Sequence, residues 1–123
     1  MANPHRGQVD LKAGDKIYTL SFSINAMCEL EAHFDEPITK IAARLQDPDE
    51  VSMTNIRALL WAALLDGRPE MKNSPNGGLD FAGLLLNEAG VAEAMDAIGR
   101  AFANAFPAEA SGKANPRKAA KAS

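Results

Sequence analysis

The sequence predicts an α+β protein, mainly α-helical, with an N-terminal β-hairpin and about five short helices packed around one core. Three observations carry that expectation. Between Val9 and Phe22 apolar and polar residues alternate, the spacing that places side chains on one face of a strand. From Ile24 onward apolar residues recur every three or four positions, the spacing of a helix face. Proline and glycine then cut the helical stretch into pieces. A chain of 123 residues has material for one buried core, and its 46% hydrophobic and 24% charged composition argues against wholesale disorder. Residues 7–106 are therefore expected to form a single globular domain.

The hairpin is expected over residues 8–23. Val9 and Leu11 alternate with Asp10 and Lys12, Tyr18, Leu20 and Phe22 with Thr19, Ser21 and Ser23, and Ala13-Gly14-Asp15-Lys16 supplies the turn. Two strands alone are marginal in water, so this face must pack on helices or join another chain's sheet, which leaves an open edge as a self-association surface. Ser23 caps a first helix carrying Ile24, Met27, Cys28, Leu30 and Phe34, which Asp35-Glu36-Pro37 ends; Cys28 reads as a small buried hydrophobe. Pro37 starts a second helix whose Ile38, Ile41, Ala42 and Leu45 form one stripe, broken by Asp47-Pro48-Asp49. Ser52 or Thr54 caps a third, where Met53, Ile56, Leu59, Leu60, Ala63 and Leu64 make a face that Trp61 and Leu65 extend around the cylinder. Such a helix is buried on more than one side. Gly67-Arg68-Pro69 stops it, and residues 68–78 read as a polar, mobile loop. A fourth helix runs from Leu79 to Ala89 with Gly90 as its left-handed stop, and a fifth carries Val91, Ala94, Met95, Ile98, Phe102 and Phe106 up to Pro107. Residues 107–123 hold no large apolar residue and are expected to be a disordered basic tail.

Charge and motifs narrow the function classes. Four cations against Glu109 give the basic tail +3, which leaves −6 on residues 1–106 within a total of −3. Without an aromatic residue or a recognition helix, that tail is a weak footprint for nucleic acid and reads as a solubilising extension. The longest apolar run, Ala58 to Leu65, is far short of the roughly 20 residues that span a bilayer, so no membrane partner is expected. His5 and His33 lie at no metal-ligand spacing from each other or from Cys28, and Cys28 and His33 fall on different helix faces. No glycine-flanked serine elbow and no phosphate-loop lysine is present. The expectation is a protein with no catalytic residues, cofactor or metal. The lone cysteine and an N-terminus without an apolar signal core point to the cytoplasm.

Association is the remaining theme. Three consecutive leucines cannot share one helix face, so at least one of Leu84, Leu85 and Leu86 is expected to be exposed or to meet a partner. Together with Trp61 and Leu65 they form the candidate partner-binding set.

The order of segments resembles the gene transfer agent and phage tail assembly protein family. The likeness runs through Gly7-Gln8-Val9-Asp10-Leu11 and Tyr18-Thr19-Leu20-Ser21-Phe22, then Asn25-Ala26-Met27-Cys28-Glu29-Leu30-Glu31 and Ile56-Arg57-Ala58-Leu59-Leu60-Trp61-Ala62-Ala63-Leu64. It continues through Asn87-Glu88-Ala89-Gly90 into the last helix, covering about residues 7–106 and leaving out the basic tail. What the resemblance implies is a tail assembly chaperone that coats the tape measure protein until tail tube protein polymerises around it, acting as a homo-oligomer. A long apolar helical rod needs its stripe covered in water, and many modest contacts suit a cover that must later leave. The alternatives are a structural tail tube or connector subunit, since members of such families are also labelled tail tube proteins, and a small DNA-binding regulator acting through the basic tail.

Overall fold

In the computed structural model, which describes residues 7–105 apart from 48 and 50, strands β1 (Val9–Ala13) and β2 (Lys16–Leu20) pair antiparallel. The register sets Val9 opposite Leu20, Leu11 opposite Tyr18 and Ala13 opposite Lys16, so Gly14-Asp15 is a two-residue turn, with Gly14 at φ 66. Alternation places Val9, Leu11, Ala13, Tyr18 and Leu20 inward, where all are buried, while Lys12 and Ile17 face solvent. The buried face packs on helices of the same chain. Past β2, the Ser21 amide donates to the Ala63 carbonyl at 3.1 Å, and the Ser21 hydroxyl donates to Asp66 Oδ2 at 2.8 Å.

Helix α1 (Ile24–Phe34) starts where Ser23 Oγ accepts the Ala26 amide at 3.1 Å and ends at Asp35, a left-handed residue with φ 56. It buries Ala26 and Leu30 and half-buries Met27 and Phe34. Two expected core residues lie outside: Ile24 is 75% exposed and Cys28 is also exposed. Cys28 stands two residues, about 200°, from both Ala26 and Leu30, and so points away from the strip the helix buries. In α2 (Ile38–Leu45), Pro37 is the cap residue and the Ile38 amide donates to Glu31 Oε2 at 2.8 Å. Its stripe is only partly covered: Ile41 is buried, and Ile38, Ala42 and Leu45 are half-buried.

Helix α3 (Met53–Leu65), capped by Ser52 Oγ on the Asn55 amide at 3.2 Å, is the axis of the molecule. Every residue from Ala58 to Leu65 is buried, because α1, β2, α4 and α5 all pack on it. Only its first turn departs from expectation, with Met53 59% exposed ahead of that packing.

The polar segment after α3, expected to be mobile, is instead organised into two 3₁₀ turns, Pro69–Asn73 and Pro75–Gly78. Met71 is buried beneath them. Gly78 takes φ 102, and a Cβ there would stand 2.9 Å from the Met71 carbonyl oxygen, so this close approach requires glycine. Helices α4 (Leu79–Ala89) and α5 (Val91–Ala105) follow, joined by Gly90. Gly90 does end α4, but at φ 90 and ψ 140 rather than in the left-handed helical region expected; the extended ψ lets α5 begin at once. α5 buries Ala94, Ala97, Ile98, Ala101 and Phe102, with Phe102 edge-on to Phe22 at 5.1 Å, while Met95 is 40% exposed. The expected end of α5 at Phe106 and the expected disordered tail, 107–123, lie outside the described residues. No helix among the described residues is long and apolar enough to cross a membrane.

Candidate functional site

The five residues singled out for partner contact separate into inside and outside. Trp61 is 7% exposed: its indole Nε1 donates to the Gly77 carbonyl at 2.9 Å and its ring lies 5.4 Å from His33. Leu65, Leu85 and Leu86 are buried as well. Of the five, only Leu84 meets solvent, at 61% exposure. The geometry of α4 explains the split. Leu85 and Leu86 face α3 and the hairpin side, and Leu84 is turned off that arc toward Asp80 and Glu88, its neighbours at i−4 and i+4. Folded, this subunit offers a partner none of Trp61, Leu65, Leu85 and Leu86.

The sequence did not single out an open, mainly apolar groove of about 480 Å³. α2 contributes Ile41, Ala42 and Leu45, the α2–α3 connection Val51, and α3 Ile56 and Leu59. α5 contributes Met95, Ile98, Gly99, Phe102 and Ala103, α1 contributes Phe34, and the polar Arg44, Gln46 and Asn55 complete the lining. The groove exists because α2 rests chiefly on α1 and reaches past it, leaving the inner side of its stripe incompletely covered. A volume of this size is in the range of clefts that take apolar side chains or small ligands.

Its rim is polar and unevenly charged. Arg44 is held in an ion pair by Glu36, with its guanidinium 5.7 Å from the Phe34 ring centroid, so that cation is already neutralised. Farther round α5, on the side of a second depression, Arg100 Nε donates to Asp96 Oδ2 at 3.0 Å. The α2–α3 connection carries Asp47 and Asp49, both exposed, with the Asp49 amide donating to Asp47 Oδ1 at 3.0 Å. The groove thus has mainly apolar walls, and two exposed carboxylates sit in the connection between its lining residues Gln46 and Val51. Nothing in its lining is a nucleophile or a metal ligand set, and no group of three or more His, Cys, Asp or Glu that could hold a metal ion occurs among the described residues.

A second, shallower depression lies where the hairpin meets α4 and α5, lined by Lys12, Ile17, Glu88, Glu93 and Arg100 among others. Ile17 is 60% exposed there amid charges of both signs. Signals for the main groove were present in the sequence: an amphipathic α2 too short to bury its own stripe, and small residues Gly99 and Ala103 one turn apart on the outer face of α5. Nothing in the sequence says that these two lie side by side. The DNA-binding alternative rested on the basic tail, which is outside the described residues, and the acidic edge of the groove adds nothing to it.

Compared with known proteins, residues 6–108 match a family model described as Phage tail tube protein, GTA-gp10. The match spans the hairpin and all the helices described above. No curated protein matches, and no solved structure does.

Proposed function

The chain belongs to the phage tail tube protein family, GTA-gp10, and from that premise we propose that it is a structural component of a phage-like tail, a subunit of the tail tube or of the connector beside it. The observation that carries the reading is the extent of the family match, which covers the whole folded unit rather than one motif. Apolar surface left open at the groove supports it, since a subunit of an assembly keeps some of its apolar surface for its neighbours. In this reading the protein works by contact alone, without catalysis, and its partners are other tail proteins and further copies of itself.

The experiment is quantitative mass spectrometry of purified tailed particles. A tube or connector subunit is expected in fixed stoichiometry to the other tail proteins; absence from finished particles sinks the structural reading.

A second reading, assembly chaperone for the tape measure protein, is favoured by one observation. A groove walled by helices and lined by apolar side chains suits an amphipathic helix, the chemistry a tape measure rod presents. Co-expression then keeps the tape measure protein soluble while the chain itself leaves before maturation. The family description names a tube protein and not a chaperone, and for that reason the structural reading comes first.

A further inference from the structure

Resting on the reading of this chain as a tail-building protein, we propose that the groove between α2, α3 and α5 seats an amphipathic helix of a different protein, with lysine or arginine along the flank that faces the α2–α3 connection. Three features identify the occupant. Ile41, Leu45, Val51, Ile56, Met95 and Phe102 make most of the wall apolar, so the face inserted against them must be apolar. On the α5 side the wall is low: Gly99 is exposed, and a Cβ placed on it would meet nothing within 4 Å. With Ala103 one turn further on, a second helix axis is able to approach closely there. Charge then sets the flank. Arg44 is committed to Glu36, and among the described residues Asp47 and Asp49, in the connection between the lining residues Gln46 and Val51, are the charges beside the groove held in no ion pair.

The same charges argue against a second copy docked through α4, and composition argues against the chain's own tail. The exposed apolar side chain on α4, Leu84, stands between Asp80 and Glu88 on a body of net charge −6, so a second copy docked through it would bring carboxylates against Asp47 and Asp49. Residues 107–123 carry the complementary charge but no large apolar side chain with which to fill the groove.

The test uses the full-length chain and two fluorescent synthetic peptides of about 18 residues, long enough for five helical turns. Both carry leucines at i, i+3, i+4 and i+7; one is flanked by lysines and the other by glutamates. Anisotropy titration is expected to show the lysine peptide binding roughly three- to tenfold more tightly, as two rim carboxylates would give. Asp47→Asn with Asp49→Asn should bring the two peptides within about twofold of each other. Gly99→Trp, which fills the groove from an open position, should abolish binding of both, and Met95→Lys at the rim should weaken it; unchanged thermal midpoints establish that each variant is folded. Three outcomes overturn the proposal: no binding of either peptide to the wild-type chain, binding undiminished in both the Gly99→Trp and Met95→Lys proteins, or a dimer of the wild-type chain that Gly99→Trp dissolves, which would make a second copy the occupant. Peptide binding is independent of whether the chain is found in finished particles, so a failure here is separable from a failure of the structural reading.

Discussion

Replacing Trp61 with phenylalanine separates an internal anchor from a surface contact. The indole is 93% withdrawn from solvent and its Nε1 donates to the Gly77 carbonyl, holding the segment after α3 against the helix. Phenylalanine keeps most of the ring volume but removes that donor and part of the buried ring. Losing the hydrogen bond costs about 0.5–1.5 kcal/mol, and the Gly77 carbonyl is then left to find water. The lost ring atoms, at about 0.8 kcal/mol per buried carbon, add a comparable amount. The expected destabilisation is about 2–3 kcal/mol in urea unfolding followed by far-UV circular dichroism, with an unchanged m-value. For a folded unit of roughly 100 residues each kcal/mol lowers the thermal midpoint by about 4–8 °C. Amide exchange should accelerate in residues 69–78 more than in α2, because the lost bond is to that segment. A variant within about 0.5 kcal/mol of wild type, with unaltered exchange there, would refute the anchoring role.

Three further outcomes follow from the packing. Leu85→Ala is expected to cost about 2–5 kcal/mol, whereas Leu84→Ala on the solvent side should stay within about 0.5 kcal/mol; parallel urea titrations compare them. Gly78→Ala should destabilise by clearly more than the roughly 1 kcal/mol expected of Gly77→Ala, since both residues have positive φ but only Gly78 abuts Met71, and differential scanning calorimetry ranks the pair. Ser52→Ala removes the acceptor for the Asn55 amide at the start of α3 and should cost about 1 kcal/mol, read from the same titrations.

Local features were the legible ones. Alternation along Val9–Leu11 and Tyr18–Leu20, interrupted by Ile17, with Gly14 in the turn made the hairpin legible, and serines ahead of apolar runs marked the starts of α1 and α3, where Ser23 and Ser52 do cap. Where apolar residues surround a helix, the sequence could not say which would face out. Ile24, Met53 and Leu84 ended outside and Trp61, Leu65, Leu85 and Leu86 inside, because the deciding neighbours come from other elements. The same limit hid the order in residues 68–78: their polar, glycine-rich composition suggested motion, while a bond between residues 16 apart, Trp61 to Gly77, fixes them. The groove was least legible of all. It needs Ile41 beside Phe102, a proximity no periodicity encodes, although the short amphipathic α2 already carried half of it. The family, by contrast, was readable from the order of segments alone, since the hairpin, α1, α3 and α4 motifs lie within the matched residues 6–108.

The proposed contact of tail building with this protein is the face between α2, α3 and α5. Its most direct test is electron microscopy of particles from cells in which Gly99→Trp replaces the wild-type chain, with the variant shown to be folded and equally abundant. Loss or shortening of tails is the predicted result. Full-length tails in normal number would contradict it.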